Sequence, residues 1–215
     1  MREHHRWSAN PITSVVVPQM NLQNQTLSSV TIVFDDKSTY NAIGADVVLT
    51  NYIIESFVPA GALGIRATLI GGEFRTKVQL HGFFWCEARL ERVKFVGRYR
   101  NNRFGRLPEY GEKGAVENCD FSSATLDDCE FYDCNVDSLL YPAWPHLTAV
   151  RPKQVLADLE SHSMSLPLRN FFEFLDLVDD DCDAIVRNVD RLKLNDDFPY
   201  DELRAIVSQV PNLRC

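Results

Sequence analysis

The sequence contains no apolar stretch near the roughly eighteen uninterrupted residues that a membrane-spanning helix needs. Its opening segment, MREHHRWSANP, carries charge with no apolar run behind it, so neither export through a signal peptide nor a membrane span is expected. CxxC, HExxH and GxSxG patterns are also missing, which leaves five histidines and six cysteines without a local motif for metal binding or nucleophilic attack. No metal, no cofactor and no catalytic residue is expected. Basic residues are outnumbered, 22 Lys and Arg against 30 Asp and Glu, for a net charge of −8. A polyanion is bound by cations that displace its counterions, so general affinity for nucleic acid is not expected. What is present is an ordinary globular composition, 45% hydrophobic and 24% charged over 215 residues, enough to bury a core. The cysteines are too few for a disulfide framework, and a reducing, cytoplasmic setting is expected.

Charge is unevenly distributed. Arg89, Arg92, Lys94, Arg98, Arg100, Arg103 and Arg106 form a basic stretch interrupted only by Glu91. Glu117, Asp120, Asp127, Asp128, Glu130, Asp133 and Asp137 follow with no Lys or Arg among them.

A five-residue period runs through the chain. In CDFSSATLDDCEFYDCNVDSLLY, small or apolar residues stand at Cys119, Ala124, Cys129, Cys134 and Leu139, with larger ones two positions later at Phe121, Leu126, Phe131, Val136 and Tyr141. Val78, Phe83, Ala88 and Val93, followed by Leu80, Trp85, Leu90 and Phe95, repeat the pattern. A weaker run pairs Met20, Gln25 and Val30 with Leu22, Leu27 and Ile32. It continues with slips through Ala45/Val47, Thr50/Tyr52, Glu55/Phe57, Ala67/Leu69 and Gly72/Phe74. Five matches neither the helical period of 3.6 nor the strand period of 2, so neither a single helix nor a flat strand keeps these positions on one side.

Units such as CDF, ATL, CEF and CNV resemble the pentapeptide-repeat family. The resemblance implies a right-handed quadrilateral β-helix in which each pentapeptide forms one side of a square coil, coils stack at the strand spacing of about 4.8 Å, and small and large sites both point inward. Cys119, Cys129 and Cys134 are then core thiols. They are not disulfide partners, because stacked residues lie one whole coil apart.

The stretch GRYRNNRFGRLPEYGEKGAVE, residues 97–117, breaks the period and reads as a long loop insertion. A solenoid needs covered ends, and the segment before Met20, with Val15 to Val17, is the expected N-terminal cap. After Tyr141 the period stops at PAWPH and helical spacing begins. Leu156 and Leu159 fit one helix, Leu168, Phe171, Phe172, Leu175 and Val178 a second, Ala184, Ile185, Val189 and Leu192 a third, and Leu203, Ile206, Val207 and Val210 a fourth. The expected fold is mainly β with an α appendage: a solenoid over residues 1–143 and an acidic α-helical region over 144–215. Asp179, Asp181, Asp183 and Asp190 have part of the spacing of a calcium loop, but Ala184 stands where its glycine belongs, and an acidic helix start is the better reading.

A solenoid presents flat faces and no cleft, which favours recognition over catalysis. Arginine and aromatic residues in the 97–117 stretch are of the types enriched at interface hot spots. The sequence therefore points to a non-enzymatic protein-binding protein of the inhibitor or immunity type, which neutralises a cognate bacterial toxin or enzyme. The expected contact residues are Arg98, Tyr99, Arg100, Arg103, Phe104, Arg106, Tyr110, Asp127, Asp128, Glu130 and Asp133. The alternative, implied by the resemblance, is a DNA mimic that binds a type II topoisomerase such as DNA gyrase. Neither reading involves direct contact with nucleic acid or a membrane.

Overall fold

The computed structural model describes residues 21–110, 113–192 and 198–215. The expected N-terminal cap and Met20 lie outside these residues.

Parallel strands stack into a four-sided β-solenoid of about four turns. One wall begins with Asn21–Leu22, Asn41–Ile43 and Leu63–Ile65. The next contains five parallel strands, Thr26–Ser28, Val48–Thr50, Thr68–Ile70, Arg89–Glu91 and Ala115–Glu117. A third wall starts with Thr31–Phe34 and Ile53–Ser56 and continues into the long strands Glu73–His81 and Lys94–Arg100. These two strands turn a corner and form the fourth wall together with Ala124–Asp127.

The corners explain how a polar-rich sequence holds this shape. Between the second and third walls, Ser29, Asn51, Gly71, Arg92 and Asn118 all take left-handed backbone with φ between 50° and 55°. Each of the first four donates its N–H to the coil above, from Ser29 to Thr50 O, Asn51 to Ile70 O, Gly71 to Glu91 O and Arg92 to Glu117 O. Asn and Gly tolerate that conformation best, so the corner is written in the sequence at three of its five levels.

Inward positions fill a continuous core. Trp85, Phe104 and Phe131 stack on successive coils, with ring centroids 5.7 Å and 5.0 Å apart. Phe95 and Phe121 stack at 4.7 Å on the facing column, and the two columns meet edge to face, Phe95 on Phe104 at 5.5 Å. All five rings are fully buried. As the period predicts, both members of Ala88/Leu90, Val93/Phe95, Cys119/Phe121, Ala124/Leu126 and Cys129/Phe131 are buried.

Ala67/Leu69 and Phe74 are buried as expected, but between Ala45 and Phe57 the expected register needs correction. Val47/Leu49 and Tyr52/Ile54 point inward, while Ala45 and Phe57 are exposed and Thr50 and Glu55 are half-buried on the outside. Glu55 faces outward because it pairs with Arg75 and Lys77 of the next coil, Oε1 to Nη1 3.6 Å and to Nζ 3.1 Å.

The 97–117 segment is not a long loop. Residues up to Arg100 complete a strand, and Arg103–Gly105 forms another that pairs with Cys129–Tyr132. Tyr99 and Phe104 are core residues, and so is Asn102. The Asn102 side chain donates to Leu80 O (2.9 Å) and Arg100 O (2.8 Å) and accepts from Trp85 Nε1 (3.2 Å), which satisfies a buried amide. The true insertion lies between Gly105 and Ala115. Thr68 pairs with Arg89 at the ordinary coil interval, but Arg89 pairs with Ala115 at a longer one.

The C-terminal region departs from the all-helical expectation. Cys182–Asn188 is a strand, antiparallel to Cys129–Tyr132 on one side and to His146–Val150 on the other, and Leu213–Arg214 closes the sheet. Ala184 and Val186 enter the solenoid core, while Ile185 enters a second core beneath the helices. With both faces buried, the strand loses the polar alternation that would distinguish it from a helix. Helices α1 (Pro152–Glu160), α2 (Leu166–Phe172) and α3 (Tyr200–Gln209) cover the second core with Val155, Leu159, Leu168, Phe172, Leu203 and Ile206. The region is therefore a continuation of the solenoid's sheet with helices packed on it. Among the described residues no helix is long and apolar enough to cross a membrane.

Candidate protein-binding surface

Register turns the two charge stretches into a ladder. Because the coils stack, basic residues of one coil lie beside acidic residues of the next. Arg89 meets Glu117 at 3.1 Å, Arg100 Nε meets Asp127 Oδ2 at 3.5 Å, Arg103 Nε meets Glu130 Oε2 at 2.8 Å, and Arg106 Nη2 meets Asp133 Oδ2 at 2.6 Å. The C-terminal region supplies the remaining partners. Arg187 binds Asp128 at 2.7 Å, Arg191 Nε approaches Asp127 at 3.3 Å, and Arg214 binds Asp137 at 2.7 Å. Six of the seven acids between Glu117 and Asp137 thus face an arginine. The seventh, Asp120, accepts from the backbone N–H and hydroxyl of Ser122. The outward acidic patch expected from the sequence is largely neutralised.

The expected contact residues therefore separate into groups. Tyr99 and Phe104 are buried in the core and present nothing to a partner. Asp127 has a side chain only 5% exposed. Burial raises its pKa and neighbouring Asp128 adds to the effect, while Arg100 and Arg191 oppose them. Arg98 lies exposed on the fourth wall, and Asp128 is clamped by Arg187, whose guanidinium also lies 3.8 Å over the Phe174 ring. Arg100, Arg103, Arg106, Glu130, Asp133 and Tyr110 remain at the surface or half-exposed.

Arg103 and Tyr110 belong to a feature that the period concealed. The first wall's sheet ends at Leu63–Ile65 and resumes higher up, where Phe84 bridges Arg103 and Arg103 pairs in register with Glu130. In the run Phe83-Phe84-Trp85, strand alternation sends the outer two rings into the core, so Phe84 must face solvent. It is 41% exposed. The short 3-10 turn Pro108–Tyr110 in the insertion folds Tyr110 back onto Phe84, centroids 5.3 Å apart and stacked, and the Arg103 guanidinium lies 5.8 Å from the same ring. Tyr40, 56% exposed, lies over Gly64, where an added Cβ would sit 2.4 Å from the tyrosine oxygen. These rings, with His81 and Glu87, line a hollow of about 390 Å³. Alternation in FFW was a usable signal for Phe84, but nothing in the sequence marks Tyr40.

Beside the hollow, Arg103, Glu130, Tyr132 and Asp179 form one hydrogen-bonded group. Tyr132 Oη donates to Glu130 Oε2 at 2.7 Å and lies 3.2 Å from Asp179 Oδ2, and Arg103 reaches Asp179 at 3.8 Å. Burial and the adjacent Glu130 carboxylate push the Tyr132 phenol well above its ordinary value. Asp179 and Asp183, part of the acidic run after Val178, are engaged here: Asp183 Oδ2 accepts the Cys134 N–H at 2.9 Å. The run precedes a strand and not a helix. Among the described residues no cluster of three or more His, Cys, Asp or Glu is placed to hold a metal ion.

Burial pushes the thiols of Cys86, Cys129, Cys134 and Cys182 up to about 12 and that of Cys119 to about 11. A thiol held protonated is a poor nucleophile. His146, also buried, lies with Nδ1 3.0 Å from Ala143 O and accepts the Leu126 N–H at Nε2, 3.2 Å, in place of a carbonyl from a further coil.

No family model, no curated protein and no solved structure matches this chain.

Proposed function

We propose that this protein acts by binding another protein through its first wall, and that it is an inhibitor or immunity-type protein that neutralises a cognate bacterial toxin or enzyme. The observation that carries this reading is the hollow in which Tyr40, Phe84 and Tyr110 stand exposed beside Arg103. Exposed aromatic rings flanking an arginine in a shaped depression are the composition of an interface centre. The Arg103–Glu130 pair beside it supplies a polar edge already fixed in geometry, so little order is lost in these two side chains when a partner docks. The buried thiols and the neutral, hydrogen-bonded His146 support binding over catalysis as the mode of action.

Membership of the pentapeptide-repeat family is part of the same proposal, supported by the inward small and large sites at five-residue spacing. So is a reducing, cytosolic setting, supported by six cysteines all in the free form.

The test is co-expression with the product of the reading frame next to this protein's own. The wild type is expected to suppress that product's toxicity and to co-elute with it on size exclusion, whereas Phe84→Ser/Tyr110→Ser is expected to lose both with its melting temperature retained. Suppression and co-elution by the double variant equal to wild type would overturn the assignment to this wall. A neighbour that neither harms the cell nor binds would overturn the immunity reading.

A further inference from the structure

A second surface lies on the helices, away from the first wall. Between α1 and α2 a hollow of about 480 Å³ opens, with Leu156, Leu159, Met164 and Phe172 among its lining residues. Leu159 and Phe172 belong to the second core, 2% exposed each, so the floor is rigid, while Leu156 and Met164 are partly buried at its sides. Four charged side chains also line it: the carboxylates of Glu160, Glu173 and Asp176 and the guanidinium of Arg169. All four are exposed, and among the described residues none of their charged groups forms an ion pair. This contrasts with the ladder of the solenoid, where acid after acid is matched by an arginine.

We infer that this cleft seats an apolar side chain carried on a lysine- or arginine-rich helix of a protein partner. The floor accepts an aliphatic or aromatic anchor, and the three-to-one excess of carboxylates at its mouth attracts cations on the flanking turns. The same excess repels a fatty acid or other anionic amphiphile, which would otherwise suit an apolar hollow of this size. The last turns of α1, through Leu156 and Leu159, form one side of the hollow and α2, through Phe172, another, so its floor runs between two helices, the kind of apolar seat into which the apolar face of a third helix is laid. The inference stands apart from the first-wall reading, since it uses different residues and a different part of the fold.

The probe is a fluorescent amphipathic peptide of about fourteen residues, roughly four turns, with Leu on one face and Lys on the other. One control replaces Lys by Glu and a second replaces Leu by Ser. Anisotropy is read at about 0.15 M salt, where screening confines electrostatics to close pairs. The methyl resonance of Met164 reports occupancy of the cleft. The Leu/Lys peptide is expected to bind and shift Met164, and both controls to bind at least tenfold more weakly, on the order of what desolvated contacts and several close pairs contribute. Glu160→Lys/Glu173→Lys/Asp176→Lys is expected to weaken it about tenfold, because three exposed pairs are lost. Met164→Trp, which fills the hollow without changing charge, is expected to weaken it as well. Phe84→Ser/Tyr110→Ser is expected to leave it unchanged. Equal binding of either control, an unmoved Met164 signal, or full affinity in the charge-reversed variant would overturn the inference.

Discussion

Arg103 and Glu130, on successive coils, lie in register on the first wall with Nε 2.8 Å from Oε2. The pair joins the aromatic hollow to the ladder, because the same guanidinium lies over Phe84. Both side chains are partly exposed, 34% and 20%, so screening limits the strength of the pair. In a double-mutant cycle, Arg103→Ala and Glu130→Ala are each expected to cost about 1 kcal/mol, with a coupling of about 1 kcal/mol or less between them. Urea melts of the four proteins measure it, and zero coupling would show that the register is set by the core alone.

Gly97 marks the corner where the coil is shortened. Its φ is +114°, and a Cβ there would lie 2.3 Å from Thr76 O. Gly97→Ala is expected to cost about 3 kcal/mol, from backbone strain and the clash together. Gly61, with nothing within 4 Å of an added Cβ, is the control, and Gly61→Ala should stay within about 0.5 kcal/mol of wild type. Comparable losses in both variants would contradict the geometry of the corner.

Burial lowers the pKa of His146, so the folded protein holds it neutral where the unfolded chain, with a value near 6.5, is already taking up a proton. The unfolded state then binds more protons, and stability falls as pH drops below about 6.5, by at most about 1.4 kcal/mol per pH unit from this group. The stabilising neutral form is fully present above that value. Thermal melts between pH 7.5 and 5, roughly the range over which a histidine titrates, should show a steeper decline in wild type than in His146→Gln. Parallel curves would place the proton uptake elsewhere.

Cys215 is exposed and Cys134 half-buried, whereas the other four cysteines are buried. A thiol-reactive chromogenic disulfide is therefore expected to modify one cysteine rapidly in the native protein and the rest only as denaturant opens the core. Cys215→Ser should abolish the fast phase; survival of that phase would mean that an inner thiol is accessible.

The solenoid was legible from Leu80 to Phe95 and from Cys119 to Tyr141 because the inward sites there hold small or large apolar residues at constant spacing, whereas Val78, expected inward, is half-buried and outside the core. Tyr99 was lost to that count because Gly97 drops one residue from the corner, which brings the next inward ring only four positions after Phe95. Asn102 was lost because it is polar, and its fitness for the core depends on the Leu80 and Arg100 carbonyls and the Trp85 indole, which only the fold brings together. Lower in the stack, Val47 and Tyr52 take sites that small residues fill elsewhere, so the slip could not be located from spacing. Strand Cys182–Asn188 resembled a helix since Ala184, Ile185 and Val189 satisfy either geometry when two cores compete for them. Charge was readable as composition and misleading as surface, because the pairing of Arg100 with Asp127 or Arg106 with Asp133 depends on the length of one particular coil.

A pile of parallel coils contains no instruction about its own height, since each added layer exposes the same hydrogen-bonding rim as the one before. Strand Cys182–Asn188 ends that indefiniteness by running the other way and committing alternate side chains to separate interiors. Termination is thus written into the C-terminal segment, through this strand on the first wall and His146 on the fourth, and the layers beneath it are free to vary in number. Duplicating a whole layer between Thr68 and Arg89 should lengthen the molecule by one strand spacing, about 4.8 Å, with the finishing strand and its helices carried upward intact.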